Sequence, residues 1–365
     1  MQNSTITIEE KIGQLLFIGI PGSEFDQKTE TLLMDIQPGG VCLFARNIRE
    51  PEQTRELNDE LRLRSRIEPL ISVDQEGGTV DRLKRIFSPS PAVSRLRSVE
   101  DAAKLGKITA EVLKILGFNM DFAPVLDVID SKRERTDNGL YSRSFGGDAE
   151  SVAERAGSYA RALNDSGIFS CAKHFPGLGA AKVDSHELLP AVSIRSEELF
   201  ERDIKPYQTL LPMGLIDSIM VAHASFPNID LQEIDVNGKL LPSSLNGSIV
   251  NTLLRDQLGF NGLVITDDLE MGAIVNEYGI GEAAVMAILA GNDMIAICAG
   301  IDSIYTAFEA ISKALTDGRI SPERLDRSIE RIIALKQKNL EFSSFSPDRF
   351  AQLSDEMKAF NSELN

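Results

Sequence analysis

Lys173 to His186, KHFPGLGAAKVDSH, holds two of the three histidines in a chain of 365 residues, and Asp184 stands two places before His186 among small, flexible residues. An Asp-x-His pair in an extended loop can set its carboxylate against one ring nitrogen and leave the other free to exchange a proton with a substrate. Such a device needs a partner. LVITDDLEMGA, Leu263 to Ala273, offers one, because an apolar run there closes on Asp267 and Asp268. A carboxylate held at the mouth of a strand is rigid enough to act as a nucleophile. Asp267 takes that role here, and Asp268 suits the N-cap of the helix that follows. For Asp267 to stay ionised at neutral pH, nearby donors or cations must offset its burial, and Lys173, His174 and Arg143 are the candidates. One carboxylate to attack an anomeric carbon and one proton donor for the departing oxygen are the requirements for cleaving a glycosidic bond. His186 backed by Asp184 would replace the usual second carboxylate, so no rule based on carboxylate separation applies.

These groups need a scaffold. Short apolar or β-branched runs recur at Leu15 to Ile20, Gly40 to Ala45, Leu70 to Asp74, Phe118 to Ala123, Ile168 to His174, Ser218 to Ala222, Gly262 to Asp267 and Asp293 to Cys298. Helical periodicity separates most of them: Thr29 to Asp35, Pro51 to Arg64, Val99 to Leu116, Ala149 to Asp165, Ser196 to Leu211, Ser248 to Leu258 and Gly281 to Leu289. Helices over Ser303 to Thr316 and Pro322 to Asn339 follow, the second with a Ser321-Pro322 start signal. Eight strands alternating with helices predict a single-domain (β/α)8 TIM barrel over residues 1–340, with residues 341–365 as a C-terminal extension packing on or trailing it. A doubly wound open sheet with a second domain is the competing arrangement. The barrel carries its own check, since polar groups should gather at the carboxyl ends of the strands. Asp74, Asp127, Lys173, His174, His223, Asp267 and Asp268 all follow apolar runs in this way. Glu76 and Asp127 are read as structural, bonding backbone or the basic residues that meet the substrate, and His223 as a structural residue at the rim.

Composition narrows the partners. A net charge of -17 disfavours nucleic acid, which requires a basic face. Cys42, Cys171 and Cys298 lie inside apolar runs and are expected to be reduced core residues. The amino terminus lacks a positively charged lead into an apolar stretch, and no run is long enough for a membrane span, so a cytoplasmic protein without membrane insertion is expected. With no tryptophan and few aromatic residues, a long stacking platform for polysaccharide is not expected, and a short soluble glycan is the more natural substrate.

Six segments in order, DQEGGTVDRL (Asp74 to Leu83), RSFG (Arg143 to Gly146), KHFPGLG with DSH (Lys173 to His186), MVAHASFP (Met220 to Pro227), LPSSL (Leu241 to Leu245) and ITDDLEMGA, together resemble the bacterial β-N-acetylglucosaminidases of glycoside hydrolase family 3, the NagZ type. The resemblance runs from about Ile8 to about Lys336. It implies Asp267 as nucleophile, Asp184 with His186 as acid/base dyad on a mobile loop, and Asp74, Arg82, Arg143, Lys173 and His174 around a non-reducing GlcNAc. It further implies a retaining exo-β-N-acetylglucosaminidase that removes non-reducing GlcNAc from peptidoglycan-derived muropeptides or short glycans through a covalent glycosyl-Asp intermediate, with no metal or organic cofactor; a monomer is expected. The family pattern commonly has arginine at Thr79, histidine at Leu178 and an aspartate near Ala180. None of these departures removes a catalytic atom, but each bears on the sugar pocket or the loop.

Other readings remain on the same residues. A neutral imidazole does not repel an anionic acceptor as a carboxylate would, which leaves a phosphorylase open, as well as a β-glucosidase. A metal-dependent hydrolase built on His174, His186, His223 and Asp267 lacks any short chelating motif. GLGAAK, Gly177 to Lys182, lacks the third glycine of a nucleotide-binding loop. A degenerate sugar-binding protein would not need Asp184, His186 and Asp267 together.

Overall fold

The computed structural model describes residues 6–135, 139–182, 189–338 and 343–364. Eight parallel strands close into a barrel: β1 (Leu16–Gly19), β2 (Gly40–Leu43), β3 (Leu70–Val73), β4 (Met120–Asp121), β5 (Phe169–Phe175), β6 (Ser218–Val221), β7 (Leu263–Asp268) and β8 (Met294–Ile297). Each strand pairs with its neighbours in sequence, and β1 closes the ring against β8 through Phe17↔Ala296 and Ile18↔Ile297. Strands this short and buried on both faces need continuous apolar runs rather than alternation, which is what LFIG, GVCL and MIAI supply. Phe17 and Phe122 meet inside the barrel with ring centroids 5.0 Å apart.

The eight expected strands are all present, with shifts at their ends. The fourth is only two residues long, because Pro124 follows three residues after its end and cannot donate to a ladder. The single helix expected over Ser196 to Leu211 is instead α-helical at Ser196–Glu198, π-helical at Leu199–Asp203 and α-helical again at Lys205–Leu210. Pro206 explains the break, since it removes a helical N–H and crowds the preceding turn. Ser248–Gln257 is also π-helical. Three helices that periodicity did not reveal lie at Ile8–Gln14 and Gly272–Tyr278, both only seven residues long, and at Pro347–Glu363. The helix Pro347–Glu363 buries Phe350, Leu353, Met357 and Phe360, a stripe at helical spacing, and packs on Val99–Leu116. Among the described residues no single helix is long and apolar enough to cross a membrane.

Polar side chains at the amino ends of the strands tie the base of the barrel together. Gln14, two residues before β1, donates to the Gln37 carbonyl at 2.8 Å. Asn119, before β4, accepts the Ile71 N–H at 2.6 Å and donates to the Pro69 carbonyl. Asp217, before β6, takes the Ser170 N–H and the Lys338 ammonium. Asp293, before β8, is fully buried and binds Arg255 at 2.6 Å, Arg331 at 3.0 Å, the Ser328 hydroxyl and the Val264 N–H. It joins β7 to Ser248–Gln257 and Pro322–Lys336, and so fixes the lower end of the strand that carries Asp267.

Asp293→Ala strands the largely buried Arg255 without its anion. Breaking such a pair from one side costs about 3–5 kcal/mol, so the urea midpoint should fall by a corresponding amount. A loss under about 1 kcal/mol would show that this clamp contributes nothing.

Candidate active site

The carboxyl ends of the strands surround a cavity of about 210 Å³. Its polar wall begins where β3 ends. Asp74 follows Val73, and the chain turns into a small antiparallel hairpin, Gln75–Gly77 with Val80–Asp81. Gly77 and Gly78 have φ of +89° and +60°, and a Cβ on Gly77 would lie 2.3 Å from the Pro91 carbonyl oxygen, so glycine is needed at this turn. Gln75 staples the hairpin from inside: its amide donates to Asp81 and Ser90, and its oxygen accepts the N–H groups of Arg82 and Leu83. With Gln75 committed to the interior, Glu76 on the alternate face meets the cavity.

Lys173 and His174 come from the end of β5, and the peptide between them is cis, as are Ala123–Pro124 and Phe175–Pro176. Lys173 Nζ lies 2.6 Å from both Asp74 Oδ1 and Glu76 Oε1. Arg143, in a short turn after β4, forks onto Glu76 with Nε at 2.7 Å and Nη2 at 2.9 Å. Burial works against ionising Glu76, yet Lys173 and Arg143 outweigh it and hold the carboxyl down to about 2. Burial likewise opposes the charge on Lys173, and Asp74 and Glu76 reverse that, raising its pKa.

His174 is fixed at both nitrogens. Nδ1 is 2.7 Å from Asp127 Oδ2, and Nε2 is 3.3 Å from Arg143 Nη2. Because arginine can only donate, Nε2 accepts and Nδ1–H points to Asp127. The other Asp127 oxygen accepts the Leu178 N–H at 2.5 Å, so one carboxylate sets both the imidazole and the start of the loop after β5.

Asp267 occupies the end of β7 and lines the cavity opposite this network. Burial disfavours its ionised form, but His223, His174, the Asp268 N–H and Lys173 together prevail and keep it below its ordinary value. The Asp268 N–H donates to Asp267 Oδ1 at 2.9 Å. His223 is buried behind this turn, with Nδ1 2.7 Å from Ser244 Oγ and Nε2 3.0 Å from the Asp268 carbonyl oxygen. Asp268 is not the expected helix cap. It accepts the Glu270 N–H within a turn, and Met271 holds the N-cap position of Gly272–Tyr278, because the backbone needs three residues to leave the strand before it can coil. Burial pushes the Asp268 carboxyl up to about 7.

Six of the eight residues assigned from sequence, Asp74, Arg82, Arg143, Lys173, His174 and Asp267, therefore line one cavity. Arg82 approaches Asp74 at 3.8 Å, and its Nε is buried with no hydrogen-bond partner among the described residues. Asp184 and His186 lie outside the described residues. The sequence reading missed the apolar wall, Cys42, Phe44, Phe122, Met220, Met271 and Cys298. Most of these sit at or just past strand ends, so the positional rule that exposed the polar groups would have found them had it been applied to every side chain. All three cysteines are free and buried, and Cys42 contacts Cys298. Among the described residues no three acidic, histidine or cysteine side chains converge as metal ligands.

Residues 7–335 match the glycosyl hydrolase family 3 N terminal domain. The chain is 33% identical over 319 residues to a β-hexosaminidase of Pseudomonas aeruginosa, covering 86% of this chain and 90% of that one. A glycoside hydrolase family 3 β-N-acetylglucosaminidase from Paenibacillus sp. FPU-7 is similar in structure, with a TM-score of 0.86 at 34% identity over 98% of this chain and 69% of that one. NagZ from Neisseria gonorrhoeae gives a TM-score of 0.77 at 27% identity over 96% and 97%.

The pKa of Glu76 is depressed on folding, so its contribution to stability is complete above about 4.5 and lost as the pH falls towards about 2. The shift corresponds to on the order of 3 kcal/mol. Glu76→Gln should lower stability at pH 7 by a similar amount and flatten the loss between those pH values, as read by urea unfolding at a series of pH values. An unchanged acid limb would remove Glu76 as the anchor of the two cations.

Proposed function

Since the chain belongs to glycosyl hydrolase family 3 and is a glycoside hydrolase of the β-hexosaminidase type, we propose that it is a retaining exo-β-N-acetylglucosaminidase that releases non-reducing GlcNAc from peptidoglycan-derived fragments. The observation that carries this reading is Asp267: a carboxylate kept ionised in the lining of a cavity that also presents a fixed set of hydrogen-bonding and charged groups. Asp74, Lys173, His174, Arg143 and Arg82 hold the sugar hydroxyls, and the apolar wall accepts the carbon face of the ring. A pocket this small suits one terminal residue better than an extended chain.

In the first step an Asp267 oxygen forms a bond to the anomeric carbon as the bond to the leaving oxygen breaks. His186, oriented by Asp184, gives its proton to that oxygen. In the second step the same imidazole takes a proton from water, which attacks the anomeric carbon and frees Asp267, so two inversions give net retention. A cytoplasmic role in peptidoglycan recycling, on small soluble fragments and as a monomer, follows from the same reading.

Asp267→Ala should reduce turnover of an aryl β-GlcNAc by roughly 10⁴-fold or more, the scale of losing a covalent nucleophile. His186→Ala should slow substrates with poor leaving groups much more than activated ones; equal losses would refute the acid role. The first-formed product, followed by NMR, should be the β anomer, and an α product would exclude the covalent route. Running the assays on β-GlcNAc and β-glucose substrates, with and without phosphate, separates this reading from a β-glucosidase or a phosphorylase.

A further inference from the structure

A second cavity, of about 390 Å³, lies on the far side of the loop that follows β5. Leu178 and Ala181 face the sugar cavity, whereas Ala180 and Lys182 face this second one, so a single stretch of backbone separates the two. The loop is seated by Gly177, whose φ is +134° and whose Cβ would fall 2.6 Å from Asp203 Cβ, a contact that no side chain could share.

Four cations and two carboxylates line the second cavity, in a protein whose net charge is -17. The two arginines are committed. Arg133 holds Asp203 at 2.6 Å and 2.9 Å and Glu198 at 3.2 Å, and Arg202 holds Asp130 at 2.8 Å. Asp130 is further occupied by the backbone N–H groups of Lys132 and Arg133. These contacts neutralise the floor and fix its shape. Lys132 and Lys182 are exposed and form no ion pair among the described residues, so their charge is available to a ligand.

We propose that this cavity binds an anionic group of the leaving portion of the substrate, a carboxylate or phosphate, through Lys132 and Lys182. The proposal rests on the reading of the chain as an enzyme acting on peptidoglycan fragments, whose lactyl and peptide groups are acidic. A strongly acidic enzyme repels such a substrate at long range, and two ammonium groups beside the site give the leaving portion a local counter-charge and a direction. The sugar is held by the first cavity in every case, so the lysines act on which aglycone is accepted, not on the chemistry at the anomeric carbon.

The test compares kcat/KM for three substrates: GlcNAc β-1,4-linked to N-acetylmuramic acid with its free acidic peptide, the same compound with its carboxylates amidated, and a neutral aryl β-GlcNAc. Lys132→Ala/Lys182→Ala should lower kcat/KM on the acidic substrate roughly tenfold, and Lys132→Glu/Lys182→Glu further, while the two neutral substrates change by less than about twofold. Inorganic phosphate at constant ionic strength should compete with the acidic substrate alone. Equal losses on all three substrates, or no loss on the acidic one, would overturn the proposal. So would phosphate that accelerates the neutral substrate through these lysines, because the site would then serve a free anion. Wild-type protein that cleaves the aryl substrate and neither disaccharide would instead refute the peptidoglycan reading on which the proposal stands.

Discussion

The pairing of Lys173 with Asp74 and Glu76, at 2.6 Å each, is the contact around which the upper face is arranged. Both the cation and Glu76 are almost wholly withdrawn from water, and neither would remain charged there alone. Together with Arg143 they form a network in which each charge makes the next tolerable, and removing one member exposes the others to the full desolvation penalty. Because the partners come from the end of β3, its hairpin, the turn after β4 and the end of β5, the network also fixes the relative positions of three loops. Charges that must be kept for binding a sugar thereby also serve as the ties that shape the pocket.

Asp267 is governed by the same balance from the other side. Among the described residues no arginine pairs with it, and its ionisation depends on the summed influence of two imidazoles, one backbone N–H and Lys173. That arrangement suits a nucleophile, because a carboxylate locked in a bidentate pair would have to break it before attacking. Next to it, Asp268 has fewer compensating groups, and burial raises its pKa to about 7. Two adjacent acids on one strand are thus separated in acidity by the directions in which their side chains leave the backbone.

Much of this was legible in the sequence because a parallel barrel writes its strands as unbroken apolar runs and ends them on polar residues. Asp74, Lys173, His174 and Asp267 could be found that way without any pairing information. Glu76 and Asp127 were read as partners of backbone or basic residues, and their contacts with Lys173, Arg143, His174 and the Leu178 N–H are of that kind. What escaped was set by tertiary context. The π-helical turn at Leu199–Asp203 depends on how Pro206 is accommodated against the barrel, and the turn around Asp268 depends on the β7 exit angle, neither of which leaves a periodic signal. The basic cavity joins Lys132 to Lys182 across fifty residues of chain, and only the closed barrel brings them to one place.

The polar ties at the amino ends of the strands stand apart from all of this. Gln14, Asn119, Asp217 and Asp293 anchor the barrel roughly 10–13 Å, the length of a three- to four-residue strand, from the groups that meet the sugar. Cohesion and chemistry consequently occupy opposite rims. A lineage exploring new aglycones can rewrite its upper loops residue by residue while the lower rim goes on supplying the rigidity that makes such experiments survivable.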